Sequence, residues 1–395
     1  MSSSEVMPPT EPDPARPSAW EAPAIGLGFV LAFAGVAWWL TRPPGAETGR
    51  ARFEAAPIDP DYARYVGDRA CAACHPGEAA AHSRSGHSRT LRPASRSSAA
   101  RKLDGRTFDD PERPGVSWRF ATEGGRPSAE RREGSGSERF PIEYAFGSGR
   151  HATTFVSLLD RDPARPSALE HRLTFFAHLK GAGLTPGQME ATGRPGNTPH
   201  GLVLSASDTR KCFECHVTVP SDRGPGFLDE ATMIPNVSCE RCHGPARGHV
   251  EAARRAEAGG AWPPGFGLDG AMARGEMKLC GACHRLPEMV TPGGIRVDNA
   301  ALVRFQPVGL MQSACFLKGG GKLACSTCHD PHARPSTDRA GYNATCRSCH
   351  SAPDQVACPR SPEAGCVDCH MPRRDVGRGM MMSDHWIRAD PSAGR

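Results

Sequence analysis

Aromatic side chains are scarce in this 395-residue chain: 15 Phe, 6 Trp and 4 Tyr make up 6% of it. Aliphatic mass does not compensate, because the mean hydropathy is −0.46 and Gly and Pro supply 44 and 37 residues. Such a composition argues against a series of ordinary domains, each closed around its own apolar core. Lysine is scarcer still. The six are Lys102, Lys180, Lys211, Lys278, Lys318 and Lys322, so Arg supplies nearly all of the 48 basic residues. The net charge of +5 is too slight to point to nucleic acid. No block of residues recurs at a fixed period, which excludes a solenoid.

Cysteine and histidine are plentiful, at 16 each. Fourteen Cys fall into seven Cys-x-x-Cys pairs, and each pair is followed at once by His. The thiol pairs are Cys71 and Cys74, Cys212 and Cys215, Cys239 and Cys242, Cys280 and Cys283, Cys325 and Cys328, Cys346 and Cys349, and Cys366 and Cys369. The trailing imidazoles are His75, His216, His243, His284, His329, His350 and His370. Zinc knuckles also use paired Cys, but they do not require His directly after the second one. Seven coincidences at this His frequency have a chance on the order of 10⁻¹⁰, taking the haem-attachment spacing as template. The motifs specify seven covalent c-type haems, with thioether bonds from the Cys and the adjacent His as proximal iron ligand.

This chemistry has three consequences. Porphyrins would supply the apolar mass that the side chains lack, so the apoprotein should fold poorly. Their propionates would add roughly −14 and leave the holoprotein acidic; Arg forks suit those carboxylates. Haem attachment of this kind takes place outside the cytoplasmic membrane. The two Cys outside the motifs, Cys315 and Cys358, would sit in that oxidising space and can pair as a disulfide or remain free.

Residues 1–21 are polar and Pro-rich and read as a disordered cytoplasmic leader. From Ala22 to Leu40 the chain carries no charged residue across nineteen positions, enough for a transmembrane anchor at 22–40. Trp38 and Trp39 suit the interface, and Arg42-Pro43-Pro44 stops the span. A signal peptide is the competing reading, but the stretch is long and lacks a basic leader. The charge rule points the other way, since Arg16 precedes the span while Arg42, Arg50 and Arg52 follow it. Seven attachment motifs outweigh it and put the bulk on the periplasmic side of the cytoplasmic membrane. Residues 41–66 read as a periplasmic linker and 67–104 as a first haem segment. Residues 105–185 read as a small β-rich insertion, with strand-like runs at 116–120, 140–146, 153–159 and 173–179. Within 93–140 the Arg, Ser and Gly content reads as loops. Residues 186–388 form a six-haem domain, with helical patches at 249–257 and 271–279, and 389–395 is a tail.

Nine His lie outside the motifs: His82, His87, His151, His171, His178, His200, His249, His332 and His385. A second axial His saturates an iron and suits electron transfer, whereas an iron without one can bind substrate. His171 and His178 sit in an apolar alternating run and read as structural. His200, in the segment NTPHGLVLS, is a candidate distal ligand, and His82 competes with His87 within AHSRSGH.

Several blocks carry a resemblance: YVGDRACAACHPGE, SGHSRT, IEYAFGSGRHATTF, VSCERCHGPARGH, KLACSTCHDPH and CVDCHMPRR followed by SDHWIR. The chain resembles the multihaem cytochromes of the cytochrome c-552/c-554 family and their relatives around hydroxylamine oxidoreductase. That resemblance implies distal roles for His87, His151, His249, His332 and His385, often to a haem other than the nearest in sequence. It departs from the ammonia-forming nitrite reductases, because no CxxCK motif is present. None of Tyr62, Tyr65, Tyr144 and Tyr342 stands in the context of the cross-linked Tyr of hydroxylamine oxidoreductases.

The expected fold is a mainly α and irregular multihaem cytochrome c fold with haems as core, a small β-rich insertion and one N-terminal transmembrane helix. The expected function is electron transfer between respiratory partners, with donor and acceptor proteins or a quinol-oxidising complex at either end. The alternative is an oxidoreductase with one open-coordinate haem, acting on a small nitrogen or sulfur compound.

Overall fold

The computed structural model describes residues 61–188, 195–261, 275–320, 322–351, 358 and 365–389. Two compact units divide the chain, Met1–Arg52 and Phe53–Arg395. The first lies outside the described residues, and so do the leader at 1–21, the span at 22–40 and most of the linker at 41–66. Among the described residues, no helix is long and apolar enough to cross a membrane.

Antiparallel sheet dominates from residue 91 to 204. One eight-stranded sheet orders Leu91–Pro93, Tyr144–Phe146, Ala152–Asp160, Ser167–His171, Gly201–Leu204 and Asn197–Thr198 as neighbours. Leu173–Phe176 pairs with the start of Ala152–Asp160 and carries Gly181–Leu184 at its other edge. A four-stranded sheet runs in sequence order through Thr107–Asp109, Val116–Glu123, Arg126–Glu133 and Gly136–Pro141. Its second strand alternates Val116, Trp118 and Phe120 inward, the period of two that a half-buried strand requires. Trp118 and Phe120 pack with Leu103, Ile142, Phe155, Leu173, Phe175 and Leu184 in one apolar cluster. A second cluster joins Leu91, Phe146, Val156, Leu202 and Leu204 to Phe213, which lies between the two Cys of the second motif. That contact ties the motif-bearing part to the sheet.

A buried ion pair sits at the edge of the first cluster. Asp110 accepts from Arg172 Nε at 2.5 Å and Nη2 at 2.8 Å, and from Trp118 Nε1 at 3.1 Å. Burial is the largest single effect and would raise the Asp110 carboxyl, but the Arg172 fork, the Glu112 N–H and Trp118 Nε1 together hold it below the usual range.

The motif-bearing part is built of short helices. Ala206–His216, Glu276–His284 and Arg339–His350 each end on the His of a motif, while Cys239–His243 and Cys366–His370 are single turns made of a motif alone. Helical spacing puts the two Cys, three residues apart, on one face. Ser205 and Asp338 cap two of these helices by accepting from Asp208 N–H and Ala340 N–H.

The expected fold class is thereby corrected. Strand is not a small insertion in a mainly α and irregular chain: sixteen strands in four sheets are described. Sheet reaches from Leu91 past residue 185 to Leu204, and two-stranded ribbons recur at Val217–Val219 with Ile234–Pro235 and at Arg373–Asp375 with Met381–Ser383. The stretch at 93–140 is not loop. Its Gly-rich tracts are hairpin turns: Glu123 pairs with Arg126 across Gly124-Gly125, and Glu133 with Gly136 across Gly134-Ser135. Gly124 and Gly125 both have positive φ, at 57° and 76°, which two-residue hairpins need. The charged faces of these strands conceal the alternation beneath. Nor are porphyrins the whole core, since the sheets close on side chains of their own.

Candidate metal centres

Four motif His face a second His drawn from elsewhere in the chain. His75 stacks with His249, ring centroids 6.5 Å apart, and His243 with His332 at 5.9 Å and an interplanar angle of 5°. His284 meets His87 at 6.3 Å, and His329 meets His385 at 6.2 Å. Two imidazoles that each bind one metal at about 2.0–2.1 Å have ring centroids about 6 Å apart. The four separations therefore match the width that one iron between two imidazoles would need.

Each partner comes from a distant segment. His249 follows the third motif and faces the first; His332 follows the fifth and faces the third; His87 follows the first and faces the fourth; His385 near the C-terminus faces the fifth. The second nitrogen of several rings is anchored. His216 Nδ1–H donates to Thr90 O at 3.0 Å, His370 Nδ1–H to Arg388 O at 3.0 Å and His385 Nδ1–H to Ser383 O at 3.0 Å. His87 lies near the Pro331 carbonyl, next to His332. His329 Nδ1 lies 3.3 Å from the Tyr342 hydroxyl, which itself donates to Ser336 O. Such anchors fix which nitrogen is left for a metal. Burial lowers His87, His216, His243, His284 and His329 and pushes His385 down to about 4, so these rings are neutral, as ligands must be.

The motifs also touch one another. The Cys71 thiol lies beside Cys239, Cys215 beside Cys283, Cys280 beside Cys325 and Cys346 beside Cys366. Cys242 lies near Cys280 and Cys283, and Cys328 near Cys346. The first, third, fourth, fifth, sixth and seventh motifs thus form an unbroken series, with the second branching from the fourth.

The other sequence candidates lie elsewhere. His200 is buried in the sheet region, with Nε2 2.5 Å from Glu138 Oε2 and its ring against Phe140 and Trp118. His151 borders a cleft with Arg150, His178, Arg373 and Met380 and makes no ring contact with a motif His. His82 lies beside Asp68 and Cys239, which leaves His87 as the partner of His284. His171 is structural: it is wholly buried, Nε2 is 2.8 Å from Ser157 Oγ, and burial pushes it down to about 4. Met380 is buried and lines that same cleft. His216, His350 and His370 make no ring contact with a second His, and all sixteen His lie among the described residues. Cys315 lies near Cys328 and Cys346, Cys358 is exposed, and both are free thiols. Sequence reasoning missed Glu240, Asp68 and Tyr342, which hold the motifs in place; nothing in their local sequence marks them.

Seven Cys-x-x-Cys-His motifs and four facing imidazole pairs are the features that covalent attachment and axial ligation of haem c require. Residues 192–244, which include the second and third motifs, match the family model for cytochrome c554 and c-prime. No curated protein matches the chain. Among solved structures, the outer cell wall cytochrome OcwA is 16% identical, with 82% of this chain and 80% of that chain covered and a TM-score of 0.39, a likeness too loose to fix the fold.

Proposed function

We propose that the protein is a membrane-anchored periplasmic cytochrome that binds one haem at each of its seven motifs and passes electrons between respiratory partners. The four imidazole pairs carry this reading, because an iron with two axial His has no free position for substrate and is suited to electron transfer. The series of neighbouring motifs supports it: thiols that would bond adjacent porphyrins lie near one another from the first motif to the seventh. The side chains bind and orient; the haem iron supplies the one-electron chemistry. Thr90, Ser383, Arg388 and Tyr342 hold the imidazoles at Nδ1 and set how strongly each ring donates to a metal. The apolar span at 22–40 is the anchor, and donor and acceptor proteins or a quinol-oxidising complex are the partners. Mass spectrometry of the exported protein tests the stoichiometry: a gain of seven haems is expected, and fewer would reduce the proposed series. Extraction from membranes only by detergent tests the anchor.

A second reading has an observation of its own. His216 is oriented by Thr90 and packs against Phe146, with centroids 5.0 Å apart, yet no His faces it. An iron bound there would keep an open position, as an oxidoreductase acting on a small nitrogen or sulfur compound requires. A spectral shift on adding nitrite, hydroxylamine or nitric oxide would support this reading, and inertness to all three would remove it.

A further inference from the structure

Glu240 occupies a variable position between the two Cys of the third motif, and its carboxylate is buried, with the residue 3% exposed. It accepts three backbone N–H groups: Val66 at 2.9 Å, Gly67 at 2.8 Å and Ala246 at 3.0 Å. Gly67 is the N-cap of Asp68–Ala72, the helix that leads into the first motif, and Ala246 is the N-cap of Arg247–Glu257, the helix that carries His249. Neither helix has a side-chain cap of its own. One carboxylate therefore holds the starts of two helices, and those helices position the two imidazoles that face each other as His75 and His249. The tie is reciprocal. Asp68 Oδ1 accepts the N–H of Cys239 at 3.1 Å, at the start of the third motif's helix. Ser238, the natural cap of that helix, makes no capping bond, and its buried hydroxyl has no partner.

We propose that Glu240 is a positioning residue for the iron of the first motif, fixing both axial ligands of that iron from within the third motif, with Asp68 returning the tie. Orphan N–H groups at helix starts need an acceptor, and a carboxylate meets that need most strongly. A single buried anion shared by two helices makes the separation of His75 and His249 depend on Glu240. It also locks the first two members of the motif series together at the Cys71–Cys239 contact. The inference rests on the proposed haem at the first motif.

The test uses the full-length, haem-loaded protein. Haem content of the wild type comes first: absence of haem at the first motif defeats the underlying reading and is distinguishable from a failure of the positioning role. Glu240→Gln keeps the shape, removes the charge and sets an amide donor against backbone donors. With haem content intact, its electron paramagnetic resonance spectrum should lose one low-spin ferric species and gain one high-spin species. The lost species should be the one that His249→Ala removes. Loss of haem from the first motif alone, seen by peptide mass, would also support the assignment. Glu251→Gln, an exposed carboxylate on the helix of His249, should leave the spectrum unchanged. An unchanged spectrum in Glu240→Gln, or haem loss spread over all motifs, overturns the proposal.

Discussion

The sheet region from Leu91 to Leu204 and the motif region from Ala206 to Ala389 solve the problem of closing a core in different ways. The sheets bury Trp118, Phe155, Phe175, Phe176 and a row of Leu, and they pair buried polar groups with one another, as in Asp110–Arg172 and Ser157–His171. Beyond Val219, none of the largest fully buried side chains of the described residues occurs. There the helices are short, several ends are held by carboxylates from other segments, and imidazoles face one another across gaps of iron-binding width. One region is stabilised by apolar burial, whereas on the proposed reading the other would be stabilised by the haems its motifs bind. The shortage of aromatics in the chain is most pronounced in the second region.

Removal of haem should break the comparison most sharply. When the chain is expressed without haem attachment, hydrogen–deuterium exchange should show protection retained in 91–204 and lost across 206–389. Equal loss in both would mean that the sheets depend on haem too.

Next in size is Asp110→Ala. It leaves the Arg172 guanidinium buried without its partner and should destabilise the sheet region by about 3–5 kcal/mol in urea unfolding. The irons' spectra should not change below the transition.

Acid should distinguish the regions more gently. His171 titrates near 4 in the fold and near its ordinary 6.5 when unfolded, so the unfolded chain binds the extra proton. Stability from this group is complete above 6.5 and falls as pH drops from 6.5 towards 4, by about 3 kcal/mol in all. Equilibrium unfolding across that window, wild type against His171→Gln, should show a shallower pH slope in the variant.

Smallest is Tyr342→Phe. It removes the hydroxyl partner of His329 Nδ1 while leaving an aromatic ring in place, an effect of about 1 kcal/mol. Weaker donation from the imidazole should raise the reduction potential of that iron alone in spectroelectrochemical titration. A shift spread over several irons would contradict the local role given to Tyr342.

Much of the site was legible from sequence because attachment chemistry fixes spacing: each motif His is named by the Cys before it. His87, His249, His332 and His385, marked by their local blocks, each face a motif His. His200 was the weaker candidate in sequence, and it lies in the sheet against Trp118 and Glu138, because its neighbours Leu202 and Leu204 belong to a buried strand. The sheets were read as smaller than they are. Segments such as Arg126–Glu133 carry their charge on ion-paired faces, and the Gly-Gly and Gly-Ser tracts that suggested loops are the hairpin turns. Glu240 was invisible because its role is set by a contact 174 residues away.

Four specific imidazole pairs, each spaced to hold one iron, are the core of the proposed electron path. Spin-state counting by electron paramagnetic resonance on the haem-loaded protein tests them most directly. At least four low-spin ferric irons are expected, one of them converted to high spin by each of His87→Ala, His249→Ala, His332→Ala and His385→Ala, and none by His200→Ala. Fewer than four low-spin irons, or a conversion caused by His200→Ala, would contradict the pairing.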